Sequence, residues 1–305
     1  MCDGNLFAPR VIKLSSFEQS LVFTKIHVYG NDFCLINGLS GKHSLEPGEI
    51  RSLGDRRTGV GFDQLILIER APDSSSDIAL QFFNSDGTKT GQCGNGCVAV
   101  AAFLHKHQLV RESPIRLAIS DQITECTITE FNSRDEYTVE VNLGPPILHP
   151  DGVPFCANEQ KVQYELNVPS QPKPVLVSVL SLGNPHAVVV VPNLEHLPID
   201  TIAFEIQQDE SFPNGTNVQL LEIQDESNGK LRIFERGVGE TRASGTGAAA
   251  ATVAGILQNL FTDSVRILMP GGAALVRWKG QESPVIVRCK PSFSFTGTIP
   301  FSSFS

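Results

Sequence analysis

One motif occurs twice in this chain, about half its length apart, with one decisive letter changed. The first copy is Cys93-Gly94-Asn95-Gly96, running into the apolar segment Val98 to Leu104. The second is Ser244-Gly245-Thr246-Gly247, running into Ala248 through Leu257. A side chain that precedes Gly-x-Gly at the start of a small-residue helix sits in a special place. Unpaired N–H groups and the helix dipole there favour an anion, whether a thiolate or a substrate carboxylate. Two such positions in two similar halves point to one substrate held between opposed acid/base groups.

The repetition extends further. Gly30-Asn31-Asp32-Phe33 precedes a strand-like run, and so does Gly183-Asn184-Pro185-His186. Gly61-Phe62-Asp63-Gln64 leads into Leu65–Glu69, and Gly215-Thr216-Asn217-Val218 leads into Gln219–Ile223. The separations are 153 residues for Asn31 and Asn184, 154 for Gly61 and Gly215, and 151 for Cys93 and Ser244. Taken singly, Gly-Asn and Gly-x-Gly are ordinary turn chemistry. Their shared order and offset imply two similar domains whose motif loops meet in a cleft.

Short β-rich runs dominate both halves, among them Val22–Val28, Ile78–Phe83, Ile123–Phe131 and Tyr137–Leu143, then Val175–Leu180, Lys230–Phe234, Val265–Leu268 and Val285–Cys289. Helices are expected after Gly96 and after Gly247. Both are apolar on every side, so each reads as a central helix wrapped by strands. An amphipathic helix is expected over Leu45 to Leu53. The fold class is therefore α+β with two pseudo-symmetric domains. The expected division is an extension over 1–20, a first domain over 21–144 and a second over 145–289, with the boundary at Gly144-Pro145-Pro146.

Charge narrows the function classes. A net charge of −9 and a pI near 5.3 argue against a nucleic-acid footprint, which needs a basic face. No apolar run has the length of a membrane span, and Met1 to Ser20 lacks a signal-peptide layout. Seven irregularly spaced cysteines suit reduced thiols in a cytoplasm. Cys93 and Cys97 have no second pair or His cluster to complete a zinc site, so no metal is expected. No phosphate loop or dinucleotide fingerprint is present, and no cofactor is expected.

The chain resembles the diaminopimelate epimerase family. The matching residues are Phe23-Thr24-Lys25-Ile26-His27 with Gly30-Asn31-Asp32-Phe33; Gly61-Phe62-Asp63-Gln64-Leu65; Phe83-Asn84-Ser85-Asp86-Gly87; Gln92-Cys93-Gly94-Asn95-Gly96; Gly183-Asn184-Pro185-His186; Asn217-Val218; Glu235-Arg236-Gly237-Val238-Gly239-Glu240-Thr241; Gly245-Thr246-Gly247-Ala248; and Pro270-Gly271-Gly272. The resemblance implies strands around a central helix in each domain, with the last strand, 290–305, returning to the first domain. It implies cofactor-independent inversion of an amino-acid α-carbon, LL- to meso-diaminopimelate in lysine biosynthesis, by two bases on opposite faces.

The resemblance also implies roles. Cys93 is the first base and Ser244 stands at the second catalytic position, with His186 assisting beside Cys93 and Glu235 beside Ser244. The substrate is held by Asn31, Gln64, Asn84, Gly94, Asn95, Asn184, Asn217, Glu235, Arg236, Gly245 and Thr246. Arg236 offers a two-pronged contact to a distal carboxylate and Glu235 a partner for an ammonium. The partner implied is a small amino acid, with no nucleic acid or membrane, and a homodimer is allowed.

The chain departs from the family pattern at three places. Ser244 replaces the second cysteine, Cys97-Val98 replaces the usual Ala-Arg, and His27-Val28 replaces the usual His-Gly. A serine hydroxyl is a poor base at neutral pH, so the Cys93/Ser244 pair is asymmetric. Three readings stay open: a two-base epimerase or racemase with serine on the second face, a hydroxyproline-dehydratase-like lyase using Cys93 as its single strong base, or a weakened ligand-binding homologue.

Overall fold

The structure is a computed structural model that describes residues 20–300 except 40, 42–44, 92, 196 and 281. The expected extension over 1–20, apart from Ser20, lies outside the described residues, as do Gln92 and the last five residues of the expected returning strand.

The chain opens with β1 (Ser20–Val28), β2 (Asn31–Asn37), α1 (Pro47–Gly54), β3 (Gln64–Arg70), β4 (Ile78–Asn84), β5 (Lys89–Thr90) and α2 (Gly94–Lys106). β6 (Ile115–Ile119), β7 (Gln122–Phe131) and β8 (Tyr137–Asn142) follow. After β9 (Tyr164–Leu166) the series recurs as β10 (Val175–Ser181), β11 (Pro185–Val191), α3 (Ile199–Gln207), β12 (Asn217–Asp225), β13 (Asn228–Glu235), β14 (Gly239–Thr241) and α4 (Gly245–Leu257). It ends with β15 (Ser264–Met269), β16 (Gly272–Arg277), β17 (Ile286–Cys289) and β18 (Pro291–Pro300).

The repeat is visible in the pairing. β2 pairs parallel with β3 in the register Phe33↔Gln64, and β11 pairs parallel with β12 in the register His186↔Asn217. β4 pairs parallel with β6 as β13 does with β15. β7 and β8 are antiparallel, as are β16 and β17. The halves are stitched where β17 pairs with β8 and where β18 pairs with β1.

α2 and α4 are central helices, buried along almost their whole length in one apolar core. They begin at Gly94 and Gly245, three residues earlier than expected from the sequence, because the Gly-x-Gly residues themselves form the first turn. Val98, Val100 and Leu104 are fully buried, and each such side chain contributes about 1.5–3 kcal/mol. Gly96 is required by close approach: a Cβ there would stand 2.4 Å from Phe82 Cε1 and 2.9 Å from Ile66 Cδ1. This contact draws the first turn of α2 onto the sheet and so fixes Cys93 just before it.

Each half carries a second, smaller core. α1 buries Ile50 and Leu53 against Phe62, Leu65 and Leu67, close to the amphipathic helix expected over 45–53. α3 buries Ile199, Ile202, Ala203 and Ile206 against Val189 and Leu220. The sequence reading did not assign α3, although its buried positions fall at helical spacing.

Candidate active site

The starts of α2 and α4 face one another. Asn95 Oδ1 lies 3.1 Å from the point where a Cβ of Gly245 would stand, so the two Gly-x-Gly turns are in contact. Cys93 and Ser244 occupy the same place on their helices, the residue just outside the first turn, each with extended backbone. The N–H groups of Gly96 and Asn95 turn toward the Cys93 sulfur. The N–H of Gly247 donates to Ser244 Oγ at 3.2 Å, the hydroxyl capping α4.

Around Cys93 the contacts are specific. Its thiol donates to Asn31 Oδ1 at 3.9 Å, and Asn95 Nδ2 donates to the same oxygen at 3.2 Å. Burial pushes the Cys93 thiol up to about 12, with the charges of Glu235 and Asp63 adding and the N–H groups of Gly96 and Asn95 opposing. Gln64 and Asn84 face each other across β3 and β4, Gln64 Nε2 donating to Asn84 Oδ1 at 3.4 Å.

Glu235 ends β13, and the chain turns at once. Residues 236–238 form the turn and Gly237 adopts φ +75°, a conformation open to glycine. Burial raises the Glu235 carboxyl above its usual range, opposed by a hydrogen bond from Ser244, while the charge of Asp63 adds to the rise. Ser244 Oγ and Thr246 Oγ1 lie 3.3 Å apart and share a hydrogen bond. Arg236 is exposed. Its backbone N–H donates to Asn217 Oδ1 at 3.0 Å, and Nη1 donates to the carbonyl of Asn214 at 2.7 Å. Asn217 Nδ2 donates to Pro185 O at 3.0 Å, so its amide ties three segments together.

His186 is fully buried on β11. Its Nε2 lies 2.8 Å from Asn184 Oδ1, an acceptor, which places the proton on that nitrogen. Burial lowers its pKa to about 4, with the Gln219 amide beside the ring working the other way. The ring is therefore neutral at ordinary pH.

The profile of the diaminopimelate epimerase family matches residues 23–149 and 178–292. The chain belongs to this family. It is 39% identical over 92% of its length to the diaminopimelate epimerase of Nitrosomonas europaea, covering 99% of that protein. It is 37% identical over 92% of its length to that of Teredinibacter turnerae, again covering 99%. The fold is also that of a hydroxyproline epimerase from Agrobacterium vitis, at a TM-score of 0.66 and 13% identity, covering 93% of this chain and 94% of that one. With the family comes the enzyme class: the chain is an isomerase. None of its described helices is long and apolar enough to cross a membrane.

Seen as a member of the diaminopimelate epimerase family, the chain carries polar groups at the site to which the sequence reading assigned no role. Asp63 accepts from Asn31 Nδ2 at 2.9 Å, and Arg56 bridges Asp63 and Asp32. Lys25 pairs with Asp32 at 2.6 Å and donates to the carbonyl of Gly61. Burial works against the Asp32 carboxylate, but hydrogen bonds from Arg56 and Lys25 prevail and hold its pKa at about 2. These residues lie inside the quoted motifs or beside them. Only their assembly across the β1–β3 region reveals the network.

Proposed function

We propose that this protein inverts an α-carbon of diaminopimelate, LL to meso, by proton transfer across the cleft between the Cys93 and Ser244 faces. What supports the reading is membership of the family together with the contact between the two helix starts. In this reading the reacting carboxylate lies between the first turns of α2 and α4, where Gly94, Asn95, Gly245 and Thr246 present backbone N–H groups. Charge builds there as the α-proton leaves, and fixed N–H dipoles stabilise it without rearrangement. Asn31 and Asn184 border the two faces, and Asn217 holds the turn that carries Arg236.

Cys93 takes the α-proton as a thiolate. Burial and two nearby carboxylates, Glu235 and Asp63, favour the thiol. A bound substrate ammonium offsets those carboxylates, so ionisation and substrate binding go together. On the opposite face Ser244 delivers a proton, with Glu235 behind it. The neutral His186 ring has Asn184 and Gln219 as its polar neighbours, and the Gln219 amide lies against Gly247 at the start of α4, so the assistance to Cys93 that the resemblance implies finds no contact among the described residues. Arg236 takes the distal carboxylate and Gln64 and Asn84 line the approach to it. The cleft walls are assigned to 21–144 with the returning strand and to 145–289. The enzyme works in the cytoplasm as part of lysine biosynthesis, and a homodimer is the assembly proposed.

The test is conversion of LL-diaminopimelate followed by chiral chromatography, with Cys93→Ala as the control. We expect the meso isomer from the native protein and none from the variant. Undiminished inversion by Cys93→Ala removes the thiolate from the mechanism. Ser244 favours one second reading: abstraction by Cys93 alone followed by loss of a β-substituent. Release of water or ammonia from a β-hydroxy amino acid, without inversion of diaminopimelate, identifies it. Binding without exchange or elimination identifies a ligand-binding homologue.

A further inference from the structure

The network around Asp63 is confined to the first half. The registers Phe33↔Gln64 and His186↔Asn217 align the halves, and on that alignment Pro185 and Thr216 stand where Asp32 and Asp63 do. The two halves otherwise share their pairing, and these two carboxylates have no counterpart at the equivalent positions of the second half.

We propose that Asp63 is a positioning residue that fixes which end of the Asn31 amide faces Cys93. The inference rests on the reading of Cys93 as the base. An asparagine side chain can be turned either way: its oxygen accepts, its NH2 donates. Here Asp63 Oδ2 takes Asn31 Nδ2 at 2.9 Å, so the NH2 is committed and Oδ1 must point the other way. That oxygen receives both the Cys93 thiol and Asn95 Nδ2. Asp63 is itself held. Arg56 Nη2 donates to Asp63 Oδ1 at 2.7 Å, the N–H of Asp32 donates to Asp63 Oδ2 at 3.1 Å, and the N–H of Asp63 donates back to Asp32 Oδ1 at 2.9 Å.

The consequence is chemical. An acceptor facing sulfur favours the thiol; a donor favours the thiolate. Asn31, held oxygen-first, keeps Cys93 protonated until substrate arrives. The other groups that face the thiol are Glu235 at the end of β13, Cys97 one turn along α2, and the N–H groups of Asn95 and Gly96. None of them hydrogen-bonds the Asn31 amide except Asn95, whose NH2 also requires the oxygen to face it.

Two Asp63 variants separate position from charge. Asp63→Glu keeps the charge and moves the carboxylate by one methylene. Asp63→Asn keeps the shape, removes the charge and lets the amide turn over. The measurement is the rate of Cys93 alkylation by iodoacetamide against pH, read by mass spectrometry of the Cys93 peptide. The proposal expects both variants to shift the profile to lower pH, with alkylation below the native midpoint faster by about fivefold, the worth of one net hydrogen bond. It expects the Asp63→Glu shift to vanish when Asn31 is also replaced by Leu. An unchanged profile in Asp63→Glu, or an equal shift with and without Asn31, overturns it. Should Asp63→Asn fail to fold, Asp63→Glu decides alone. The alkylation readout does not depend on turnover. A shift without any epimerase activity would leave the positioning role standing and remove the functional reading.

Discussion

Replacing Ser244 by Cys sets two effects of this one side chain against each other. Ser244 Oγ caps α4 by accepting the Gly247 N–H at 3.2 Å, and sulfur is a weaker, longer acceptor. Loss of a serine cap costs about 0.5–2 kcal/mol. At about 2.1 cal/mol/K per residue over 305 residues, that is a fall in Tm of about 1.5 °C per kcal/mol. The thiol also enters a buried position beside Glu235, which can accept its proton as it now accepts that of Ser244. A thiol is far easier to ionise than an alcohol, and a well-matched general acid or base contributes about 10²–10⁴ in rate. We predict that Ser244→Cys lowers Tm and raises the rate of inversion by about a hundredfold, the conservative end of that range. Differential scanning fluorimetry reads the first and chiral chromatography of diaminopimelate reads the second. A folded Ser244→Cys protein with no catalytic response of any kind refutes the placement of this residue on the second face.

Arg236→Lys is expected to weaken use of diaminopimelate sharply, because one ammonium cannot reproduce a two-pronged contact; unchanged kinetics would remove the distal-carboxylate assignment. Gly96→Ala is predicted to cost about 1–3 kcal/mol, since its Cβ would stand 2.4 Å from Phe82, and urea unfolding checks it, with an unchanged midpoint counting against the packing argument. Asp32 has a depressed pKa of about 2, so its contribution to stability is complete above the unfolded value near 4 and is lost as pH falls through about 2. Asp32→Asn is therefore expected to flatten the acid-unfolding curve over that window, and a curve as steep as the native one would contradict the ion network.

The two helix starts at the candidate site were legible because local chemistry announces them. Gly-x-Gly before a small-residue run marks a helix start whatever surrounds it, and the repeat showed that two such starts belong together. β-rich runs were legible for the same reason. α3 went unassigned because it is short and opens on Pro198-Ile199 without a polar cap, although Ile199, Ile202 and Ile206 carry the helical period. The role of Asp63 was not legible. Its partners Asn31, Asp32 and Arg56 are brought to it by a parallel β2–β3 pair and the turn before β3, and an aspartate in a Gly-Phe-Asp-Gln string reads equally well as turn chemistry. The Ser244 hydroxyl shows the same limit. Capping, proton donation and carboxylate anchoring all suit a serine before Gly-x-Gly, and its contact with Glu235 emerges only when β13 turns back at Arg236.

The central claim is that two different groups act on opposite faces of one carbon. The most direct test is a short incubation with LL-diaminopimelate in deuterated water, with deuterium located in substrate and product by NMR and mass spectrometry at low conversion. A proton removed by Cys93 and replaced from the Ser244 side gives meso product carrying deuterium at the inverted centre, while the remaining LL substrate stays largely unlabelled. Product that retains the substrate's own proton, or label that enters the LL substrate with no inversion, would contradict the account.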